Sequence, residues 1–330
     1  MIGVLWSLAM AGLFGFSQLA SRKGLRGIPV DQGTFIMIVV STALMTIPFF
    51  WLGGPDLVRA SDPISLAYFV LAGLIHFVGG FTLMNISIRN IGAARTGSLI
   101  ATTPLFATFL AAISLHELIN GPLVIGVLVV IAGVLLISSK SNKTEGADAR
   151  ETSKKGKDLL KERGDLLSFR YPATLEFSGI LDQARESSFG LLAALSWGLS
   201  PILIKKGLQG LPSPLVGLTL AMASAGVLYA LILASRSRFR PLLSRLSERP
   251  ALWQTAAGAL VGLGTLCRWI ALSFTTAAMV TTLSRGSLLI TVGLGSTLLG
   301  KELEPVNNRI RLGAVFIVIG AVIVVFFGRS

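Results

Sequence analysis

The chain has 330 residues, 52% of them hydrophobic and 14% charged, with a net charge of +13 and a mean hydropathy of +0.75. No soluble globule of this length needs so much apolar surface, and the charges cluster between apolar runs. A single cysteine, Cys267, excludes an intrachain disulfide and a multi-cysteine metal site. The basic excess is read as loop lysine and arginine that orient a membrane protein and meet anionic lipid headgroups, with no nucleic-acid partner expected.

Ten apolar runs follow one another. The first five cover about 2–20, 33–52, 64–88, 92–115 and 119–138; the second five cover about 188–208, 214–234, 251–274, 276–299 and 310–327. Most are 18–25 residues long, enough for a helix to cross a hydrocarbon core of about 30 Å. Backbone polar groups in lipid must pair within their own segment, so the runs are helices. The first run has an internal counterpart, so it is read as a retained helix and not a cleaved leader.

That counterpart is the clearest pattern in the chain. Residues 8–29 read LAMAGLFGFSQLASRKGLRGIP, and residues 191–212 read LLAALSWGLSPILIKKGLQGLP. At an offset of about 183, Gly15 matches Gly198, Ser17 matches Ser200, Lys23-Gly24-Leu25 matches Lys206-Gly207-Leu208, and Pro29 matches Pro212. Further on, Ala72-Gly73 aligns with Ala257-Gly258 and Gly79 with Gly264. His116-Glu117-Leu118 aligns with Lys301-Glu302-Leu303, and Gly126 and Gly133 with Gly313 and Gly320. Five helices per copy is an odd number, so the second copy starts from the opposite face. The predicted fold is an all-α integral membrane protein, with ten transmembrane helices in two inverted five-helix repeats, a common plan for secondary transporters. The predicted domains are 1–139, a hydrophilic charged insert at 140–187, and 188–330.

The insert carries ten Lys/Arg and nine Asp/Glu. Its start, 141–156, has the composition of a flexible linker; 157–169 and 174–185 have the pattern of short amphipathic helices on the membrane surface. Loop charges set the orientation. The face of the N-terminus holds Arg59, Lys205, Lys206 and Arg329. The other face holds 22 basic residues, including Arg22, Lys23, Arg26, Arg89 and the group Arg236, Arg238, Arg240, Arg245 and Arg249. The positive-inside rule then places the insert in the cytoplasm.

Trp197-Gly198-x-Ser200, followed by Lys205-Lys206-Gly207-Leu208, resembles a pattern of the EamA family in the drug/metabolite transporter superfamily. Phe14-Gly15-Phe16-Ser17 is its weaker form in the first copy. The turns at His116-Glu117-Leu118 and Gly300-Lys301-Glu302-Leu303, and the segments 128–137 and 315–324, are similar to that family's turns and closing helix. The resemblance implies a ten-helix carrier of small metabolites in the cell's inner membrane, working by alternating access, monomeric or homodimeric, with both termini in the cytoplasm. That orientation is opposite to the one the loop charges favour, and the long insert departs from the family's short connection.

A charge within a membrane helix costs roughly 2.5–3.5 kcal/mol on insertion scales, so each one is a site candidate. Arg285 lies mid-run, with Thr281 one helical turn before it, and its planar fork of donors suits a carboxylate or phosphate. Arg268 and Arg95 lie nearer helix ends, where a long side chain can snorkel to the interface. His76 is the one mid-run group that titrates near neutrality and is a candidate proton carrier. Asn85, Gln18, Thr102, Thr103 and Ser200 are candidate cavity-lining residues, and Trp6, Phe14 and Trp197 a candidate aromatic wall. Pro104 and Pro201 break helical hydrogen bonds and mark candidate bends. For each of these, plain helix packing is the competing role.

No run contains Asp or Glu. An organic-cation exporter would use a buried carboxylate, so the expected solute is anionic or zwitterionic: an amino acid, an organic acid or a phosphorylated metabolite. No enzyme activity, metal or cofactor is expected, and no nucleotide-binding loop is present. The alternative is a non-transporting membrane protein whose basic insert binds partners or lipid.

Overall fold

The computed structural model describes residues 1–25, 27–91, 99–100, 102–138, 178–235, 246–287, 289–290, 294 and 308–327. Every element among them is helical. The predicted residue Arg95, the turn at 300–303, the arginine group at 236–245 and most of the 140–187 insert lie outside the described residues, as does the Asn85 side chain.

Helix α1 (Ile2–Gly24) leads to α2 (Val30–Trp51) and a short α3 (Gly54–Arg59). Next, α4 (Pro63–Gly73), a π-helical segment (Leu74–Gly80) and α5 (Phe81–Ile91) run end to end, followed by α6 (Thr103–Leu115) and α7 (Gly121–Ser138). The second part has α8 (Ser178–Gly210), α9 (Pro214–Ser235), α10 (Arg249–Phe274), α11 (Ala277–Leu283) with a 3₁₀ turn (Ser284–Gly286), and α12 (Asn308–Phe327). Helix α8 begins inside the stretch expected to be a solvated insert.

Six helices are long and apolar enough to cross a membrane: Ile2–Ser21, Asp31–Trp51, Pro63–Met84, Ser188–Gly210, Pro214–Ser235 and Arg249–Phe274. Thr103–Leu115, Gly121–Leu136 and Leu312–Phe327 are shorter apolar helices. The fourth and ninth predicted spans lie partly outside the described residues. Asp31 stands at the edge of a span, a small correction to the acid-free reading of the runs.

Starts are set by local chemistry. Asp62 Oδ1 accepts from Ile64 N at 3.2 Å, and Pro63 fills the first helical position of α4, where no N–H is needed. Thr276 Oγ1 accepts from Met279 N at 3.2 Å and caps α11. Asn120 Oδ1 accepts from Leu123 N at 2.9 Å at the head of α7.

Packing relies on small residues, because lipid supplies no hydrophobic drive between helices. Helix α1 lies along α10, and α8 lies along α4, the π segment and α5. Helix α2 packs on α9 and α10, and α9 on α4. Helices α7 and α12 pair with each other: a Cβ on Gly126 would sit 2.9 Å from Gly320 O, and one on Gly133 would sit 2.6 Å from Gly313 O. The main core is centred on α4, α8, α9 and α10, where the Phe69 and Trp269 rings meet at 5.3 Å. Outward positions remain apolar, as at Ile47, Phe50 and Trp51, which suits a lipid-facing surface.

Candidate functional site

The site forms where α8 and α10 meet the π segment. Pro201 lies inside α8 and has no N–H, so the Trp197 carbonyl four residues earlier lacks its helical donor. Arg268 of α10 takes that place: its Nη2 donates to Trp197 O at 3.5 Å. Its Nη1 lies 3.5 Å from His76 Nε2. A guanidinium has only donors, so Nε2 accepts, and His76 is a neutral imidazole whose Nδ1–H donates to Ser200 Oγ at 3.1 Å. The Trp197 indole Nε1 donates to His76 O at 3.0 Å, which satisfies a carbonyl within the π segment. His76, Trp197, Ser200 and Arg268 thus form one hydrogen-bonded unit drawn from three elements.

Arg268 is only 8% exposed, and its Nε has no hydrogen-bond partner. The snorkelling expected of it is therefore corrected: the side chain runs inward, to the carbonyl that Pro201 frees. His76, Ser200, Thr265, Arg268 and Trp269 line a small chamber together with Phe77, and it has no room for a water molecule. No carboxylate among the described residues lines it.

Arg285 sits in the 3₁₀ turn after α11. It is half-buried, and its Nε is buried without a hydrogen-bond partner. Neither arginine pairs with a carboxylate among the described residues. A buried guanidinium without a counter-ion is costly, and an anion beside Arg268 would relieve the cost.

Several sequence-predicted residues lie elsewhere. The one-turn relation of Thr281 to Arg285 assumed a continuous α-helix, but the helix tightens to 3₁₀ at Ser284. Thr281 Oγ1 donates to Ala277 O at 2.8 Å within α11. Thr102 and Thr103 donate to Leu99 O and Ile100 O, at 2.6 and 2.7 Å, so their hydroxyls serve the local backbone. Trp6 is exposed at 37% and lines neither the chamber nor the cleft beside it. Gln18 Nε2 reaches Ser287 Oγ at 3.4 Å, close to the Arg285 turn. The Phe14 ring packs at Gly264, where a Cβ would approach it to 2.8 Å. Pro104 stands in the first turn of α6 and makes no mid-helix bend.

Two features were missed in the sequence. A cleft lined by Met37, Met84, Met222, Phe77 and Phe81 lies beside the chamber. Lys205, counted as a loop charge, pairs with Glu117. No group of histidine, cysteine or acidic residues suited to a metal occurs among the described residues.

The chain matches the family model of the EamA-like transporter family over residues 1–139 and 185–326. It belongs to the EamA-like transporter family. Membership places it in the drug/metabolite transporter superfamily, and with its six long apolar helices it is an integral, multi-pass membrane protein. None of the curated proteins matches the EamA-like chain significantly. A solved crystal structure matches it with a TM-score of 0.69 at 14% identity, covering 97% of this chain and 95% of the other, a likeness of fold alone.

Proposed function

We propose that the chain is a secondary transporter for a small anionic or zwitterionic solute, working by alternating access between inverted five-helix halves, 1–139 and 188–330, joined by the 140–187 insert. Contacts that recur under exchange of the halves support the inverted arrangement. Lys23 lies 4.5 Å over the Trp253 ring, and its match Lys206 lies 5.9 Å over Tyr68, which is the position matching Trp253. Phe14 packs at Gly264, and its match Trp197 packs at Gly80, one residue beyond Gly79, the position that matches Gly264. Gly126 meets Gly320, and Gly133 meets Gly313. A carrier whose halves share one packing scheme can rock between two related states around its midline.

The observation that carries the solute class is Arg268, held 8% exposed between the halves with an unpartnered Nε and no facing carboxylate. The groups that break the repeat are those of the site: Arg268 corresponds to Leu83, and His76 to Val261. The supporting side chains and Ser200, which matches Ser17, keep the symmetry, and His76 and Arg268 abandon it.

The test is thermal stabilisation of the purified protein in lipid nanodiscs by acetate, phosphate, amino acids and lipophilic cations. A bound anion at 100 times its Kd stabilises by about 2.7 kcal/mol. The gain is expected for anions and lost in Arg268→Ala, measured against that variant's own baseline. Stabilisation by cations alone, unchanged in Arg268→Ala, would overturn the reading.

A further inference from the structure

The Phe77 ring borders two cavities. On one side is the Arg268 chamber; on the other is a cleft of about 80 Å³, against roughly 10–15 Å³ needed for one water. The cleft reaches Ser21 and Leu25 at the C-terminal end of α1 and Thr34 at the start of α2, so it runs from the far side of the Phe77 ring toward that end of α1. Its walls are mainly Met37, Met84, Met222, Phe81 and Val261. The hydroxyls on it are largely committed: Ser41 Oγ is 2.7 Å from both Met37 O and Gly258 O, and Ser21 Oγ lies 3.5 Å from Gln254 Oε1.

This layout discriminates among anions. A sugar phosphate would bring hydroxyls into a cleft with few free partners, and each buried hydroxyl left unpaired is costly. An amino acid would bring an ammonium, yet no carboxylate among the described residues lines the chamber or the cleft. A hydrocarbon body loses nothing there, and unbranched methionines adapt to varied apolar shapes. We propose that the solute is an apolar monocarboxylate without an amino group, its carboxylate meeting Arg268 when the closed chamber opens in the transport cycle and its hydrocarbon body lying along the methionine-walled cleft. The inference rests on the anion-carrier reading above.

The experiment measures Kd by thermal stabilisation of the full chain in nanodiscs, with acetate, butyrate, hexanoate, 3-phenylpropanoate, phenylalanine and inorganic phosphate. Affinity is expected to rise about fourfold per methylene from acetate to hexanoate. Phenylpropanoate is expected to bind at least about tenfold more tightly than phenylalanine, whose ammonium finds no counter-charge. Met37→Gln with Met84→Gln, which keeps volume but adds polar groups, should flatten the chain-length dependence. Arg268→Ala should abolish the series, which separates the site from partition into lipid. Equal affinity across the series, phenylalanine equal to phenylpropanoate, or a series that survives Arg268→Ala would overturn the inference. If phosphate and acetate bind as tightly as hexanoate, the carrier reading stands and only the narrower solute class falls. If no anion binds, both fall.

Discussion

Glu117 and Lys205 form an ion pair of 2.6 Å that joins the turn after α6 to the last part of α8. The same carboxylate accepts from Ala277 N at 3.1 and 3.2 Å, at the N-terminus of α11, where a negative charge is favoured. Lys205 also donates to Thr275 O at 3.0 Å. One acidic side chain therefore ties three elements from both parts of the chain. The two side chains are 12% and 23% exposed, so removing one partner leaves a largely buried charge. Glu117→Gln is expected to lower stability by about 1–3 kcal/mol, below the full cost of breaking a wholly buried pair. Adding Lys205→Met should recover most of the loss in thermal unfolding. Loss below about 0.5 kcal/mol would mean the pair is a surface contact of little weight.

The turn that carries Glu117 contains the one non-glycine residue with positive φ among the described residues, His116 at +52°. An L-residue there costs roughly 1–2 kcal/mol, while glycine adds about 0.5–1 kcal/mol of unfolded-state entropy. His116→Gly is expected to be neutral or to stabilise by up to about 1 kcal/mol. A fall of more than 1 kcal/mol in the same unfolding assay would show that the imidazole itself holds the turn.

Close backbone approach separates structural glycines from incidental ones. A Cβ on Gly73 would lie 2.1 Å from Ala221 O, whereas one on Gly121 meets nothing within 4 Å. Gly73→Ala must push α4 from α9 and is expected to cost about 2–3 kcal/mol. Gly121→Ala is expected to change stability by no more than about 1 kcal/mol, in the favourable direction. Equal effects at the two sites would contradict the packing described for α4 and α9.

Much of this molecule was legible from spacing alone. The apolar runs located the long helices, and the glycines matched in the repeat turn out to lie at close contacts such as Gly126 with Gly320. What the sequence concealed was direction around each helix axis. A membrane helix is apolar toward lipid and toward the core, so periodicity does not say which side faces inward. Trp6 was therefore expected in a cavity and is 37% exposed, outside the chamber and the cleft. Arg268 was expected at an interface because it is near a helix end, yet a carbonyl freed by Pro201 on another helix draws it inward. Thr281 was placed with Arg285 by α-helical arithmetic, which the 3₁₀ turn breaks. The Met37–Met84–Met222 cleft was invisible because methionine in an apolar run carries no signal of its own.

The dependence of Arg268 on Pro201 gives the last prediction. Pro201→Ala restores an N–H that can bond the Trp197 carbonyl within α8, in place of Arg268 Nη2 at 3.5 Å. The helix should gain stability, by about 1 kcal/mol, since a regular hydrogen bond replaces a long one. The guanidinium then loses one of its two anchors and keeps only His76 Nε2. Anion binding is expected to weaken about fivefold, the equivalent of one modest hydrogen bond. The two readouts move in opposite directions, which a merely damaged fold would not produce. If stability and binding fall together, Pro201 is a packing residue and the carbonyl it exposes does not position Arg268.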